Sequence, residues 1–166
     1  MEITAVIALG GNLGDVETCF RATRDELASL PRTRLLESSR IYTSAPLGPP
    51  GQPDYQNAAM TVDTELEPLE LLDRMQRIEH EHGRVRGEKW GPRTLDLDLI
   101  AYGDICMDTA RLILPHPHMH ERMFVLQPVT DLLPQWKHPR LQCSIAQLMN
   151  ALLRQGTERL AEGHTW

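Results

Sequence analysis

The chain has 166 residues, 41% of them hydrophobic and 24% charged, with a formal net charge of -6. Length and apolar fraction suit one globular domain that folds without disulfide or metal staples, and no apolar run approaches the roughly 18 residues of a transmembrane helix. The acidic balance, with a pI near 5.6, speaks against a general nucleic-acid or membrane-surface binder.

Ile3 to Leu9 is β-branched and apolar and runs into Gly10-Gly11, the pattern of a buried strand. Val16, Phe20, Thr23, Leu27 and Leu30 follow at helical spacing until Pro31 stops the helix. Leu35 to Ser44 reads as a weaker strand. Residues 45–53, APLGPPGQP, hold four prolines and two glycines and form a loop of the length that is often functional. Met60, Val62, Thr64 and Leu66 alternate with Thr61, Asp63 and Glu65 as a half-buried strand. Pro68 opens a second helix with Leu71, Leu72, Met75 and Ile78 on its apolar face and Gly83 as its cap. Leu95 to Tyr102 reads as a further strand, the C-terminal third as more irregular, and Ser144 with Gln147 as the capping box of a last helix bearing Ile145, Leu148, Met149 and Leu152. The order strand, helix, strand, strand, helix, strand predicts an α+β, ferredoxin-like βαββαβ core: an antiparallel sheet with helices on one face and extra C-terminal elements, all in one domain, 1–166.

Chemistry concentrates in RVRGEKWGPRTLDLD, residues 84–98. Two residues apart on a strand, Asp96 and Asp98 share a face, with Cα atoms about 6.5–7 Å apart, while Leu95, Leu97 and Leu99 face the core. Such a pair suits hard, oxygen-seeking cations, although on its own it more often marks a solvated strand face. Just before it, Arg84, Arg86, Lys89 and Arg93 against Glu88 make a +3 stretch around Trp90 in a chain whose cations are otherwise arginine apart from Lys137. A basic loop running into paired carboxylates is the equipment of magnesium-dependent phosphoryl transfer. The turn Gly10-Gly11-Asn12-Leu13-Gly14 sits where nucleotide-binding turns sit, and an ordinary tight turn explains it equally well. Two alternatives stand beside this reading. His116, His118 and His120 at i, i+2, i+4, with His80 and His82 as a further pair, could serve a zinc site; and a ferredoxin-like module could bind a nucleotide without chemistry.

Together the strings ALGGNLGD, YTSAPLGPPGQPDYQNAA, QRIEHEHGRVRGEKWGPRTLDLDL and RLILPHPHMHERMFVLQP, over roughly residues 3–130, resemble the 6-hydroxymethyl-7,8-dihydropterin pyrophosphokinases of folate biosynthesis. The resemblance implies transfer of pyrophosphate from ATP, the co-substrate, to the pterin hydroxymethyl group, releasing AMP and using two Mg2+ ions. It implies that Asp96 and Asp98 hold the metals, that Arg84 and Arg93 grip the triphosphate, and that Arg86 and Trp90 close over the site. Gln76, Glu79, Leu99, Arg111, His116 and Arg122 match positions beside the nucleotide. Ser44, Ala45, Pro46 and Leu47 match the lining of the pterin pocket, Asn57 its hydrogen-bonding amide, and Tyr55 and Phe124 the aromatic faces that sandwich the ring. The chain departs from the family pattern at Ala45, Ile113 and His118. No residue stands out as the general base, with Asp98 one candidate. The expected setting is cytoplasmic, from the unpaired Cys19, Cys106 and Cys143 and from a start that lacks a secretory leader. The expected partners are small molecules rather than nucleic acid or membrane, and the expected state is a monomer.

Overall fold

The computed structural model describes residues 1–45, 50–83, 94–161 and 163–166. The chain order is β1 (Ile3–Gly11), α1 (Val16–Ala28), β2 (Thr33–Ser38), β3 (Tyr42–Ser44), β4 (Tyr55–Thr64), α2 (Pro68–Glu81), β5 (Asp96–Tyr102), β6 (Met107–Asp108), β7 (Ile113–Leu114), a 3-10 turn at Met119–Glu121, α3 (Met123–Leu132) and α4 (Ile145–Arg154). The main sheet runs β2-β4-β1-β5 with β3 beside β4, every pairing antiparallel, and β6-β7 form a separate small hairpin.

The local signals act as their chemistry requires. Asp15 caps α1, its carboxylate accepting the Thr18 N–H at 3.1 Å. Gly83 takes a φ of 80° just past α2, the left-handed conformation that ends a helix. Ser144 and Gln147 form the expected reciprocal capping box on α4. Three boundaries differ from expectation. The strand expected from Met60 to Leu66 begins at Tyr55 and ends at Thr64, as β4. The first strand continues through both glycines, Gly10 opposite Asn57 and Gly11 opposite Gln56, so the turn begins only at Asn12. The stretch 35–44 is two strands, because the chain breaks at Ser39 and Arg40, where Ser39 turns its hydroxyl to the Ala59 N–H at 2.8 Å.

The larger difference is the number of layers. Ala5, Ile7 and Leu9 of β1 pack with Ala58, Met60 and Val62 of β4 and the apolar sides of α1 and α2. Val6, Ala8, Ala59, Ile100 and Ala101 face the other way, into a second core completed by Met123, Val125, Leu126 and Val129 of α3 and by Ile145, Leu148 and Leu152 of α4. Helices therefore cover both faces, not one. This explains why β4 is buried on both sides at Thr61 and not half-buried as its alternation suggests. Within α3, Pro128 lies inside the helix and supplies no N–H; the apolar contacts to the sheet hold the element instead.

A bulge sets the faces of β5. Ile7 pairs with Leu99 and Val6 with Ala101, leaving Ile100 unmatched. One extra residue shifts the alternation: Ile100 and Ala101 both enter the second core, and Tyr102 turns to the first, where its hydroxyl donates to the Leu66 carbonyl at 2.5 Å. Among the described residues no helix is long and apolar enough to cross a membrane.

Candidate active site

One end of the second sheet face carries the polar residues. Directly opposed residues in an antiparallel pair share a face, so the register places Asn57 of β4, Gly10 of β1 and Asp96 of β5 in one row across three strands. The next row toward the core is Ala59, Ala8 and Asp98. The predicted carboxylate pair thus lies on one face, Asp96 half-buried and Asp98 exposed, while Leu97 and Leu99 point into the opposite core. Leu99 can offer this site only its backbone.

On the other side of Gly10, β3 brings Ser44 opposite Tyr55 and Tyr42 opposite Asn57. Asn57 is 5% exposed, and its Nδ2 donates to the Ser44 hydroxyl at 2.8 Å. That bond orients the amide: the NH2 is on the Ser44 side, and Oδ1 faces the space above Gly10. Tyr42 anchors the strand on that same face, its hydroxyl donating to Asp131 of α3 at 2.9 Å, with the Arg40 N–H on the same carboxylate at 3.1 Å. Burial, and then the Asp131 carboxylate, hold the Tyr42 hydroxyl above its ordinary pKa, so it stays a donor. Asn12, 3% exposed, ties the end of the proline-rich stretch to β1 by donating to the Pro53 carbonyl at 2.9 Å. The sequence points to Asn12 only as part of its turn and to Tyr42 not at all, because each acts through partners tens of residues away.

His116 lies against β5, its N–H donating to the Ile100 carbonyl at 2.8 Å. Its Nδ1 accepts the His118 N–H at 3.1 Å, so the neutral ring carries its proton on Nε2 and presents a donor. Desolvation first, then the Arg122 and His118 charges, lower its pKa to about 4. The Arg122 guanidinium sits 5.7 Å from the ring of Phe124, which is half-buried in the first turn of α3.

Three predicted nucleotide residues lie on the α2 side. Arg111 donates to Asp73 at 2.6 Å and to Gln76 at 3.2 Å. Glu79, 5% exposed, accepts the Leu97 N–H at 2.7 Å, so it braces β5 between its two aspartates. Because β5 is the edge strand, this group and the His116 and Arg122 group flank the same edge. Ala45 is exposed at the end of β3. Pro46, Leu47, Arg84, Arg86, Trp90 and Arg93 lie outside the described residues.

The hard oxygen donors of Asp96 and Asp98, on one face with Asp98 open to solvent, fit magnesium. The histidines do not assemble as a zinc site: His116 and His118 stand edge to face with centroids 6.1 Å apart. Nδ1 of His120 is buried without a partner, and no group of three metal-capable side chains gathers among the described residues.

The comparisons with known proteins agree. The family model described as 7,8-dihydro-6-hydroxymethylpterin-pyrophosphokinase (HPPK) matches residues 6–134. A 2-amino-4-hydroxy-6-hydroxymethyldihydropteridine pyrophosphokinase of Pseudomonas aeruginosa is 46% identical over 154 residues, covering 93% of this chain and 94% of that protein. Proteins of the same name from Haemophilus influenzae and Bacillus subtilis are 46% and 42% identical, over 84% and 81% of this chain and 88% and 81% of their own lengths. Among solved structures, an HPPK-DHPS crystal structure in complex with substrates superposes with a TM-score of 0.74 at 14% identity, covering 94% of this chain and 44% of that one. Plasmodium falciparum HPPK-DHPS with pteroate gives 0.73 at 15% identity, over 93% and 43%. This chain therefore spans less than half the length of those two solved proteins, and the likeness to them is one of fold. With its family match over most of its length, the chain belongs to the HPPK family and is a pyrophosphokinase.

Proposed function

We propose that the Asn57, Gly10, Asp96 row is where this chain joins its two substrates in the family's reaction: transfer of pyrophosphate from ATP to the hydroxymethyl group of 6-hydroxymethyl-7,8-dihydropterin, in folate biosynthesis. The observation that carries the assignment is the register, which sets an oriented amide and two carboxylates on one sheet face with a single glycine between the amide and the nearer acid. Asn57 presents Oδ1 to the ring N–H groups while Ser44 holds its NH2. Tyr55, half-buried on the same face, and Phe124 supply flat apolar surface for the ring.

Asp96 and Asp98 are the residues to hold two magnesium ions, whose charge offsets that of the phosphate oxygens. His116 donates its Nε2–H to the triphosphate as a neutral ring, and Arg122 adds a cation beside it. A nucleotide laid over the edge strand β5 would meet Gln76 and Arg111 on the far side, a reading supported by their mutual hydrogen bond there. Arg84, Arg86, Trp90 and Arg93 are assigned to ATP on the sequence resemblance. In the reaction the hydroxymethyl oxygen forms a bond to the β-phosphorus, the bond from that phosphorus to the α-phosphate oxygen breaks, and AMP leaves. Asp98 is the candidate acceptor of the hydroxyl proton. Catalysis is then chiefly orientation and electrostatics.

The same reading takes the sheet as a ferredoxin-like core, supported by the order β2-β4-β1-β5. It takes the protein as cytoplasmic, supported by free Cys19, Cys106 and Cys143, and as a monomer. The test is incubation with magnesium, ATP and the hydroxymethyl-dihydropterin. AMP forming in step with the pterin diphosphate is the expected result; ADP, or no reaction, overturns it.

A further inference from the structure

Gly10 sits inside β1, not in a turn, and nothing in the fold requires a glycine there. Its φ is not positive, and an added Cβ would meet only Asn57 Oδ1 at 3.5 Å and the Gln56 carbonyl at 3.9 Å, both ordinary contacts. Glycine in a strand weakens it and often marks a place where something approaches the backbone closely. Here the residue is partly open to solvent, while Leu9 and Gly11 beside it are buried. It lies directly between Asn57 and Asp96, whose Cα atoms are about 9.5 Å apart, from twice the interstrand spacing.

We infer that Gly10 is a specificity-determining gap in the sheet: it leaves room for the substituent that joins the ring at Asn57 to the reacting oxygen at Asp96. This rests on the reading of the row proposed above. A ring held by the Asn57 amide and a hydroxyl delivered toward Asp96 must be linked across the strand that separates them, and that strand is β1 at Gly10. The linking group is the exocyclic CH2 that bears the hydroxyl. A methyl side chain at position 10 would point at Asn57 Oδ1 and occupy the same space. The gap selects for a short, unbranched one-carbon link; because Asn57 Oδ1 borders it, a methyl there crowds the bare ring slightly and the substituted ring much more.

The test compares the unmutated protein with Gly10→Ala, using two probes: 6-hydroxymethyl-7,8-dihydropterin and 7,8-dihydropterin without the substituent. Binding is measured with magnesium and a non-hydrolysable ATP analogue, alongside circular dichroism and thermal unfolding. The variant is expected to fold as the parent does, to bind the nucleotide analogue with unchanged affinity, and to lose roughly 10–200-fold more affinity for the hydroxymethyl pterin than for the bare dihydropterin, the range for one methyl-sized mismatch in a pocket. Equal loss on both pterins, no loss on either, or failure to fold overturns the inference. If the unmutated protein binds neither pterin, the reading of the site fails and the inference with it, and this result stands apart because it precedes any substitution.

Discussion

The charge state of single residues gives the proposed site its first tests. His116 is held neutral by desolvation before any neighbouring charge is counted, with a pKa near 4. The unfolded chain therefore binds one more proton than the folded one between about pH 4 and the ordinary histidine value of 6.5. Stability from this group is fully present above 6.5 and is lost as pH falls toward 4. An NMR titration of the His116 ring should give a midpoint near 4; one near 6.5 would remove it as a neutral donor at physiological pH. Asp96→Ala is expected to cut turnover by roughly 10²–10³-fold, on the scale of removing an electrostatic stabiliser of the transition state, with pterin binding largely kept. Steady-state kinetics and pterin titration check this, and parent-like turnover in saturating magnesium refutes the metal assignment. Asp96 and Asp98 were legible as a pair because a two-residue spacing on a strand has one geometric meaning. Glu79 was legible only through the family resemblance, since no local pattern reveals that its carboxylate reaches the Leu97 N–H.

Elements with their own start signals could be read directly. Pro68 opens α2, Gly83 follows its end, and Ser144 with Gln147 starts α4. Ser144→Ala leaves the Gln147 N–H without its cap and is expected to cost about 1 kcal/mol. Urea unfolding should show a lower midpoint with an unchanged slope. Helix α3 had no such signal: Arg122 supplies no side-chain cap, and Pro128 stands in the interior. It forms because Val125, Leu126 and Val129 bury against Val6, Ala8 and Ala59, contacts that periodicity within one segment does not encode. The same helix bears Asp131, which grips Tyr42 and so steadies β3, the strand of Ser44.

At the scale of the molecule, distant segments are tied by a few specific contacts. Trp166 donates its Nε1–H to the Ser39 carbonyl at 2.6 Å, packs edge-on to Phe20 at 5.8 Å and lies under the Arg24 guanidinium at 4.5 Å. His164 pairs with Ile41 between β2 and β3. Because Trp166 is only partly buried, Trp166→Ala is expected to destabilise by roughly 2–3 kcal/mol, below the roughly 3–5 kcal/mol of a fully enclosed ring. Thermal unfolding measures the loss, and turnover well below the unfolding temperature should survive, since Trp166 touches α1 and the β2–β3 break and not the carboxylate row.

The sequence by itself determined the alternation of helices and strands in the first hundred residues, though not the break between β2 and β3, together with the shared face of Asp96 and Asp98 and the family. Each of these is written in local spacing or in a long contiguous string. Only the tertiary structure decided that helices cover both faces, that Gln76 and Arg111 stand across the edge strand from His116 and Arg122, and that Asn57, Gly10 and Asp96 form one row. The physical reason is register. Which residue of β1 lies opposite which residue of β4 and β5 is set by hydrogen bonds and packing between segments some fifty to ninety residues apart, and no local periodicity carries that information.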